Sequence, residues 1–521
     1  MRNAIVQQAP ELGLEPALSP PNIPAAKQGD RALDIRWIAC LLGFALVYAL
    51  VFCAAIPSFI DEAYSFNLAT DKSLAHMLAA LRDGADGTFP LYAIILFCWE
   101  KLFGSSEMSL RLSSGVFVLC FVWHSGKRLV RHFGPAASAL AVLFVLANWA
   151  FTFYGLQVRF YGLLIFLFSL CFWSTWDLLQ TKTISLLGRL AHAFFCGLVC
   201  LSHPLGLVYA GTLALVYFSF SILLRKFSFA NAATFLGGPV LFLVWLPSFL
   251  TQRLVNPAYP AAQPGVAKYW DFAFYGSTLL ILTLLAGAAM FIGLRWASRS
   301  KANTPSPDAQ SSWSRNDSPG VSSNRLVILY SLALVFFLNG VMALLDSLHV
   351  VSVYWTGEGG IRYGLVCWVA YAVVVAAIFF TAARLLKNVS DRFRVQFSQR
   401  MQFVVAVIAL LVLMESHWGA WFRMRANDCS YLAKISSIAK EKHLDVVCQR
   451  HWDAFYLATR TDTEHVQYLL ADGFPYKHLM LQVAKYYPNP VPIDPAIRAQ
   501  STNEYLFLSY SPRDAWIVGK R

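Results

Sequence analysis

The chain has 521 residues, of which 57% are hydrophobic and only 14% charged. A soluble globular domain carries roughly a quarter charged residues, so this composition belongs to a polytopic membrane protein in which lipid replaces water around most side chains. The formal net charge of +13 does not point to nucleic acid, because the basic residues fall in short clusters at alternate ends of apolar runs, a pattern of topology signals.

Residues 1–34 are rich in Pro and Ala, with no apolar segment before Leu33. They read as a disordered cytosolic tail and not as a signal peptide. Roughly 20 apolar residues are needed to cross the hydrocarbon. The first such run, Ile35–Ile56, is preceded by Arg31 and Arg36. Positive charge stays inside, so the N-terminus is expected in the cytosol and Asp61 outside.

Residues 58–108 form the first external segment. Within it, Asp61–Arg82 keeps a helical stripe in Ala63, Phe66, Leu74, Met77, Leu78 and Leu81 and reads as one surface helix. Phe89–Phe103 is too short for a full crossing and reads as a second, partly embedded helix. Further crossings are expected at Ser109–Trp123, Pro135–Phe153, Phe160–Leu179, Leu190–Leu201, Leu205–Leu224 and Ala230–Leu250. The series continues with Phe272–Leu294, Leu326–Leu345, Arg362–Leu386 and Phe403–Trp418. The membrane domain, residues 35–421, thus has about eleven crossings by span length and charge. A Ser-, Asn- and Pro-rich stretch, 298–324, is a disordered cytosolic loop in this reading.

The polar tail, 422–521, is expected outside as a small α/β domain. Leu444–Cys448, His465–Leu470 and Tyr505–Tyr510 read as strands, Trp452–Thr459 and Tyr476–Tyr487 as helices. Cys429 and Cys448 lie in this region, and an oxidising compartment would leave a disulfide between them open. No internal repeat is apparent, which weighs against a transporter built from two related halves.

The unusual polar residues gather on one side of this topology. Asp61 and Glu62 leave the first span, Arg159 and Tyr161 sit between the third and fourth, His203 ends the fifth, and Glu358, Arg362 and Tyr363 open the tenth. Carboxylates and guanidiniums at one membrane–water boundary suit a substrate with an anionic head and a lipid tail. Arg offers a planar fork for phosphate oxygens, and a carboxylate can take a proton from an attacking hydroxyl. Plainer readings stand beside this. The acidic doublet could be a solvated helix start, the two arginines snorkelling anchors, and His203 a satisfied boundary histidine. Glu107 and Arg111 read as a local i,i+4 pair. Asp61, Glu62, His76, Asp83 and Asp86 offer oxygen and imidazole to a divalent cation, without recognisable ligand spacing.

Asp61-Glu62 directly after the first span resembles the acidic pair of the GT-C fold membrane glycosyltransferases, in particular the protein O-mannosyltransferase-like enzymes and the lipid A aminoarabinose and galacturonic acid transferases. Phe89-Pro90-Leu91-Tyr92, then Leu102-Phe103-Gly104 and Ser106-Glu107 through Arg111-Leu112-Ser113-Ser114, is similar to the His-Pro-Pro-Leu-Tyr segment of that family and the residues after it. Arg159-Phe160-Tyr161 resembles its Arg-x-Tyr, Ser202-His203 its Thr/Ser-His, and Arg362-Tyr363 its late Arg-Tyr. The resemblance implies a GT-C fold and transfer of a sugar from a polyprenyl-phosphate donor, with inversion, to a hydroxyl of a lipid, glycan or protein acceptor at the outer face of a bacterial cytoplasmic membrane. It implies Asp61 as general base, Glu62 orienting the acceptor or Asp61, and Arg159 and Arg362 holding the donor phosphate. Tyr161, His203, Tyr363, Tyr64, Arg82 and Pro90 would complete the substrate-binding set. Membrane lipid is the expected surrounding partner and nucleic acid is not expected. Thr88-Phe89-Pro90 stands where the family often has His-Pro-Pro, which removes whatever that His does. The competing readings are a ligase for lipid-linked glycans, a flippase or transporter for them, and a non-catalytic scaffold.

Overall fold

The computed structural model describes residues 28–55, 60–181, 184–255, 319–347, 364–393, 431–449, 454, 456–458, 465–469, 477–493, 505–508 and 515–518. The first helix, α1 (Gln28–Ala55), is followed by three short helices, α2 (Ile60–Ala69), α3 (Leu74–Arg82) and α4 (Pro90–Phe103). The single surface helix expected over Asp61–Arg82 is therefore two. The cause is local: Asp71 Oδ1 accepts from Ser73 N, and Ser73 Oγ in turn caps α3 by accepting from His76 N, which gives the backbone an alternative to continuing the helix. Pro90 starts α4, where its missing N–H costs nothing, and Gly104 (φ +81) ends it.

Helix α5 (Glu107–Phe133) begins with Ser106 Oγ accepting from Ser109 N and ends at Gly134 (φ +77). It extends ten residues, nearly three turns, past the end of the expected Ser109–Trp123 and takes in Lys127, Arg128 and Arg131. The expected crossing Pro135–Phe153 is broken at Asn148 into α6 (Pro135–Ala147) and α7 (Trp149–Gly155). Asn148 Oδ1 accepts from Ala150 N and Phe151 N and so caps α7. Then come α8 (Tyr161–Gln180), α9 (Leu186–Ser202), α10 (Gly206–Leu223), α11 (Phe229–Ala232) with a 3₁₀ turn after it, α12 (Gly237–Val255), α13 (Pro319–Ser347) and α14 (Cys367–Phe393).

Among the described residues, six helical stretches are long and apolar enough to cross a membrane: Trp37–Ala54, Glu107–Phe133, Tyr161–Gln180, Gly206–Leu223, Phe229–Val255 and Asn324–Met342. Three shorter apolar helices lie at Pro135–Ala147, Leu186–Ser202 and Cys367–Ala383. Nine of the expected crossings coincide with these. The other two, Phe272–Leu294 and Phe403–Trp418, lie outside the described residues, as do the N-terminal tail to residue 27 and most of 298–324. The chain is a helical multi-pass membrane protein.

The helices bury one large aromatic core that includes Trp173, Tyr330, Trp368 and Phe172, with Tyr330 Oη donating to Phe172 O at 3.0 Å. Around it, Leu and Phe side chains such as Leu187, Phe229 and Leu254 face outward, as lipid in place of water permits.

Beyond the membrane helices lies a small α/β unit. Helix α15 (431–442) leads into β1 (Asp445–Cys448), then β2 (Val466–Leu469), α16 (Lys477–Tyr486), β3 (Val491–Ile493), β4 (Tyr505–Leu508) and β5 (Ala515–Val518). Among the described residues the sheet order is β3-β2-β1-β4-β5, with β5 antiparallel to β4 and the other pairings parallel. Val446 of the central strand pairs with Val466 on one side and Leu506 on the other. This unit is seated on the segment between α1 and α4. Ala63 and Tyr64 of α2 are buried among Leu432, Ile435, Val446, Tyr468 and Leu506. Tyr487 Oη donates to Asp71 Oδ2 at 2.8 Å, and Lys485 Nζ to Asp83 Oδ2 at 3.1 Å.

Candidate active site

Asp61 and Glu62 occupy the first turn of α2, where carboxylates face the positive end of the helix dipole. Adjacent positions on a helix point about 100° apart, and the two side chains go to different places. Glu62 turns inward and is 1% exposed. It meets Arg111 of α5 in a two-pronged pair, Nε to Oε1 at 2.9 Å and Nη2 to Oε2 at 2.7 Å. Its Oε1 also accepts from Val158 N at 2.9 Å. Arg111 is itself fully buried, donates to Cys53 O at 3.1 Å and keeps the expected i,i+4 contact with Glu107 at 2.9 Å.

Asp61 is directed toward Arg159 and its side chain remains 19% exposed. Arg159 lies in the linker between α7 and α8. Its Nη1 donates to Asp86 Oδ2 at 2.9 Å, to Ser65 Oγ at 3.2 Å and to the carbonyl of Asp61 at 3.2 Å. Its Nη2 stands 4.0 Å from Asp61 Oδ2. The buried Nε has no hydrogen-bond partner among the described residues. One edge of the guanidinium is thus saturated, while the Nε–Nη2 edge, the fork that matches two oxygens of a phosphate, makes no hydrogen bond among the described residues. Burial works against the Arg159 charge, but the carboxylates of Asp86 and then Asp61 outweigh it and hold the guanidinium above its ordinary pKa.

The linker that carries Arg159 is tightly seated. Ser114 Oγ donates to Gln157 O at 2.6 Å and Tyr92 Oη lies 3.1 Å from the same hydroxyl. At Gly162 a Cβ would stand 2.7 Å from Gly155 O and 2.9 Å from Ser114 O, a space only glycine tolerates. Phe160 stacks on His203 at 4.4 Å between ring centroids, and His203 Nδ1 accepts from Leu205 N at 3.1 Å. This fixes the imidazole with its Nε2 carrying the proton when the ring is neutral.

The other expected site residues divide. Tyr161 is buried beside Tyr154 and Phe160, next in sequence to the Arg159 linker. Tyr64 packs into the core of the C-terminal unit. Its burial, and then the nearby charge of Asp61, push its hydroxyl well above its ordinary pKa, so it stays neutral. Pro90 is buried at the start of α4 and serves to begin that helix, while Arg82 is exposed at the end of α3. Arg362, Tyr363 and Glu358 lie outside the described residues, as does Cys429.

Two contributors escaped the sequence reading. Asp86 appeared only as one of several scattered acids, yet it is 4% exposed and holds Arg159. Its oxygens also accept from Thr88 N at 3.3 Å and Thr88 Oγ1 at 3.1 Å, and this Asp-x-Thr turn was the available signal. Arg111 was accounted for by its neighbour Glu107, which hid its contact with Glu62. Among the described residues no three His, Cys, Asp or Glu side chains are gathered as a cation site.

No family model matches the chain, and no curated protein does. Solved structures do. The crystal structure of ArnT from Cupriavidus metallidurans bound to undecaprenyl phosphate is 14% identical with a TM-score of 0.52, covering 91% of this chain and 93% of that one. The apo state of the same protein gives 14% identity and a TM-score of 0.53, with 92% and 94% covered. The similarity covers more than nine tenths of each chain, and the fold is the GT-C fold.

Proposed function

We propose that this protein is an inverting glycosyltransferase that moves a sugar from a polyprenyl-phosphate donor to an acceptor hydroxyl. The supporting observation is the 4.0 Å approach of Asp61 to Arg159 at one end of the helical domain, with an unsatisfied guanidinium edge beside the carboxylate. In this reading Asp61 takes the proton of the acceptor hydroxyl as its oxygen attacks the anomeric carbon. The bond from that carbon to the phosphate oxygen breaks, and the electron pair leaves with the polyprenyl phosphate. The Nε–Nη2 edge of Arg159 meets the negative charge that accumulates there. Attack from the face opposite the leaving phosphate inverts the anomeric centre.

Glu62 does not touch the reactants in this scheme, because both its oxygens face Arg111 and Val158. Arg362 and Tyr363 remain assigned to the donor phosphate by resemblance. The undecaprenyl phosphate bound in the ArnT structure supports a donor of that chemical class. The site and the C-terminal unit face away from the cytosol across a bacterial cytoplasmic membrane, with the N-terminus cytosolic, as the Lys and Arg clusters imply. The C-terminal unit, packed on α2, lies near enough to help hold a lipid, glycan or protein acceptor.

The test is a strain lacking the protein, complemented with wild type or Asp61→Asn. Mass spectrometry of the cell-envelope glycans is expected to show one sugar substituent restored by wild type and not by the variant at equal expression. Restoration by Asp61→Asn removes Asp61 as the base.

A further inference from the structure

Asp61 and Arg159 lie 98 residues apart on different elements; Arg159 Nη1 donates to the Asp61 carbonyl at 3.2 Å, while the two side chains approach only to 4.0 Å. Contacts from the tip of a long side chain, such as those of Arg159 to the Asp61 carbonyl and Ser65 Oγ, do not alone hold the two backbone segments in register. The neighbours of these two residues do so. Glu62 follows Asp61 and Val158 precedes Arg159, and Glu62 Oε1 accepts from Val158 N at 2.9 Å. Glu62 is in turn fixed by the two-pronged contact from Arg111, whose Nη1 reaches Cys53 O near the end of α1. One buried guanidinium thus ties α1, α2 and α5 to the linker that carries Arg159.

We infer that Arg111 is a positioning residue that sets the spacing of Asp61 and Arg159 through Glu62 and Val158 N. The inference rests on the proposed role of those two residues as one site. A bidentate buried pair suits this use. Its geometry is fixed in both partners, and supporting contacts of this kind hold the groups of a site to their working geometry.

The experiment uses the full chain in lipid nanodiscs and two variants. Arg111→Lys keeps the charge on a slightly shorter side chain but has no fork. Arg111→Met with Glu62→Met removes both buried charges together, which buried pairs commonly tolerate without loss of stability. Two quantities are read: hydrogen exchange of the Val158 amide, and affinity for undecaprenyl phosphate. For any variant that melts within a few degrees of wild type, exchange at Val158 is expected to quicken about tenfold or more with exchange in the α8 core unchanged, and affinity to fall about tenfold. Wild-type exchange at Val158 and wild-type affinity in such a variant overturn the inference. If neither variant melts near wild type, Arg111 is a general structural pair and the inference is equally overturned. If wild type itself fails to bind undecaprenyl phosphate, the donor reading falls, while the Val158 exchange still decides the positioning role.

Discussion

The two ends of α5 carry the same kind of contact in different surroundings. At one end Arg111 grips Glu62 with both partners essentially unexposed, 0% and 1%. At the other, Arg128 grips Asp177 of α8 with equally good geometry, 2.9 and 2.6 Å, but the side chains are 27% and 41% exposed. Distances alone would rank the pairs as equals. Burial separates them: an exposed pair is screened and was never desolvated, whereas losing one partner of a buried pair strands a charge. The closed end is where Asp61 and Arg159 meet, and the open end is where the topology reading places the cytosol.

The largest difference between the ends is expected in turnover. Asp61→Asn should lower sugar transfer by about 10²–10⁴-fold, the range for loss of a general base, while Asp177→Asn leaves it within about twofold, since surface changes remote from a site usually act only through stability. Transfer from a radiolabelled lipid-linked sugar pool by membranes of each variant measures both. Next is stability. Arg111→Ala should cost about 3–5 kcal/mol by stranding Glu62, seen as a large drop in melting temperature in detergent. Arg128→Ala should cost about 1 kcal/mol or less. Equal drops would mean that burial does not set the worth of these pairs.

Gly162→Ala should fall between these. Its Cβ has backbone carbonyls at 2.7 and 2.9 Å on two sides, and overpacking against backbone costs about 1–3 kcal/mol. The smallest effect belongs to the seat of the C-terminal unit. The Asp83 carboxyl is held below its ordinary value of 3.8, first by the Tyr486 hydroxyl and then by Lys485. A carboxylate with a lowered folded pKa adds stability above its unfolded value and loses it as the pH falls through the folded one. Protection of the α16 amides, the observed exchange rate set against the intrinsic rate at each pH, should therefore be unchanged from pH 8 to 5 and fall slightly only below about pH 4.

The sequence made the spans legible because the bilayer demands long apolar runs and places charge at their ends. It also brought Asp61 and Arg159 to the same end of the bundle, since each borders a crossing. Strands β1, β2 and β4 were visible as apolar runs. β3 was missed because Pro492 interrupts its three residues, as befits an edge strand that need not donate on its outer side. β5 was missed because a four-residue strand near the C-terminus has little periodicity to offer. The inner shell of the site was hidden for another reason. Arg111 lies 49 residues from Glu62, and Asp86 lies 73 from Arg159. Only the packed helices bring these residues together, and a local partner such as Glu107 satisfies a sequence reading before the distant one is sought.

The most direct measurement is the affinity of the nanodisc-embedded chain for undecaprenyl phosphate in wild type, Arg159→Lys and Asp61→Asn. If the Nε–Nη2 edge receives the phosphate, Arg159→Lys should bind about tenfold or more weakly, because a lysine cannot offer the fork. Asp61→Asn, which removes only a neighbouring negative charge, should bind as well as wild type or better. Wild-type affinity in Arg159→Lys would contradict a phosphate site at Arg159.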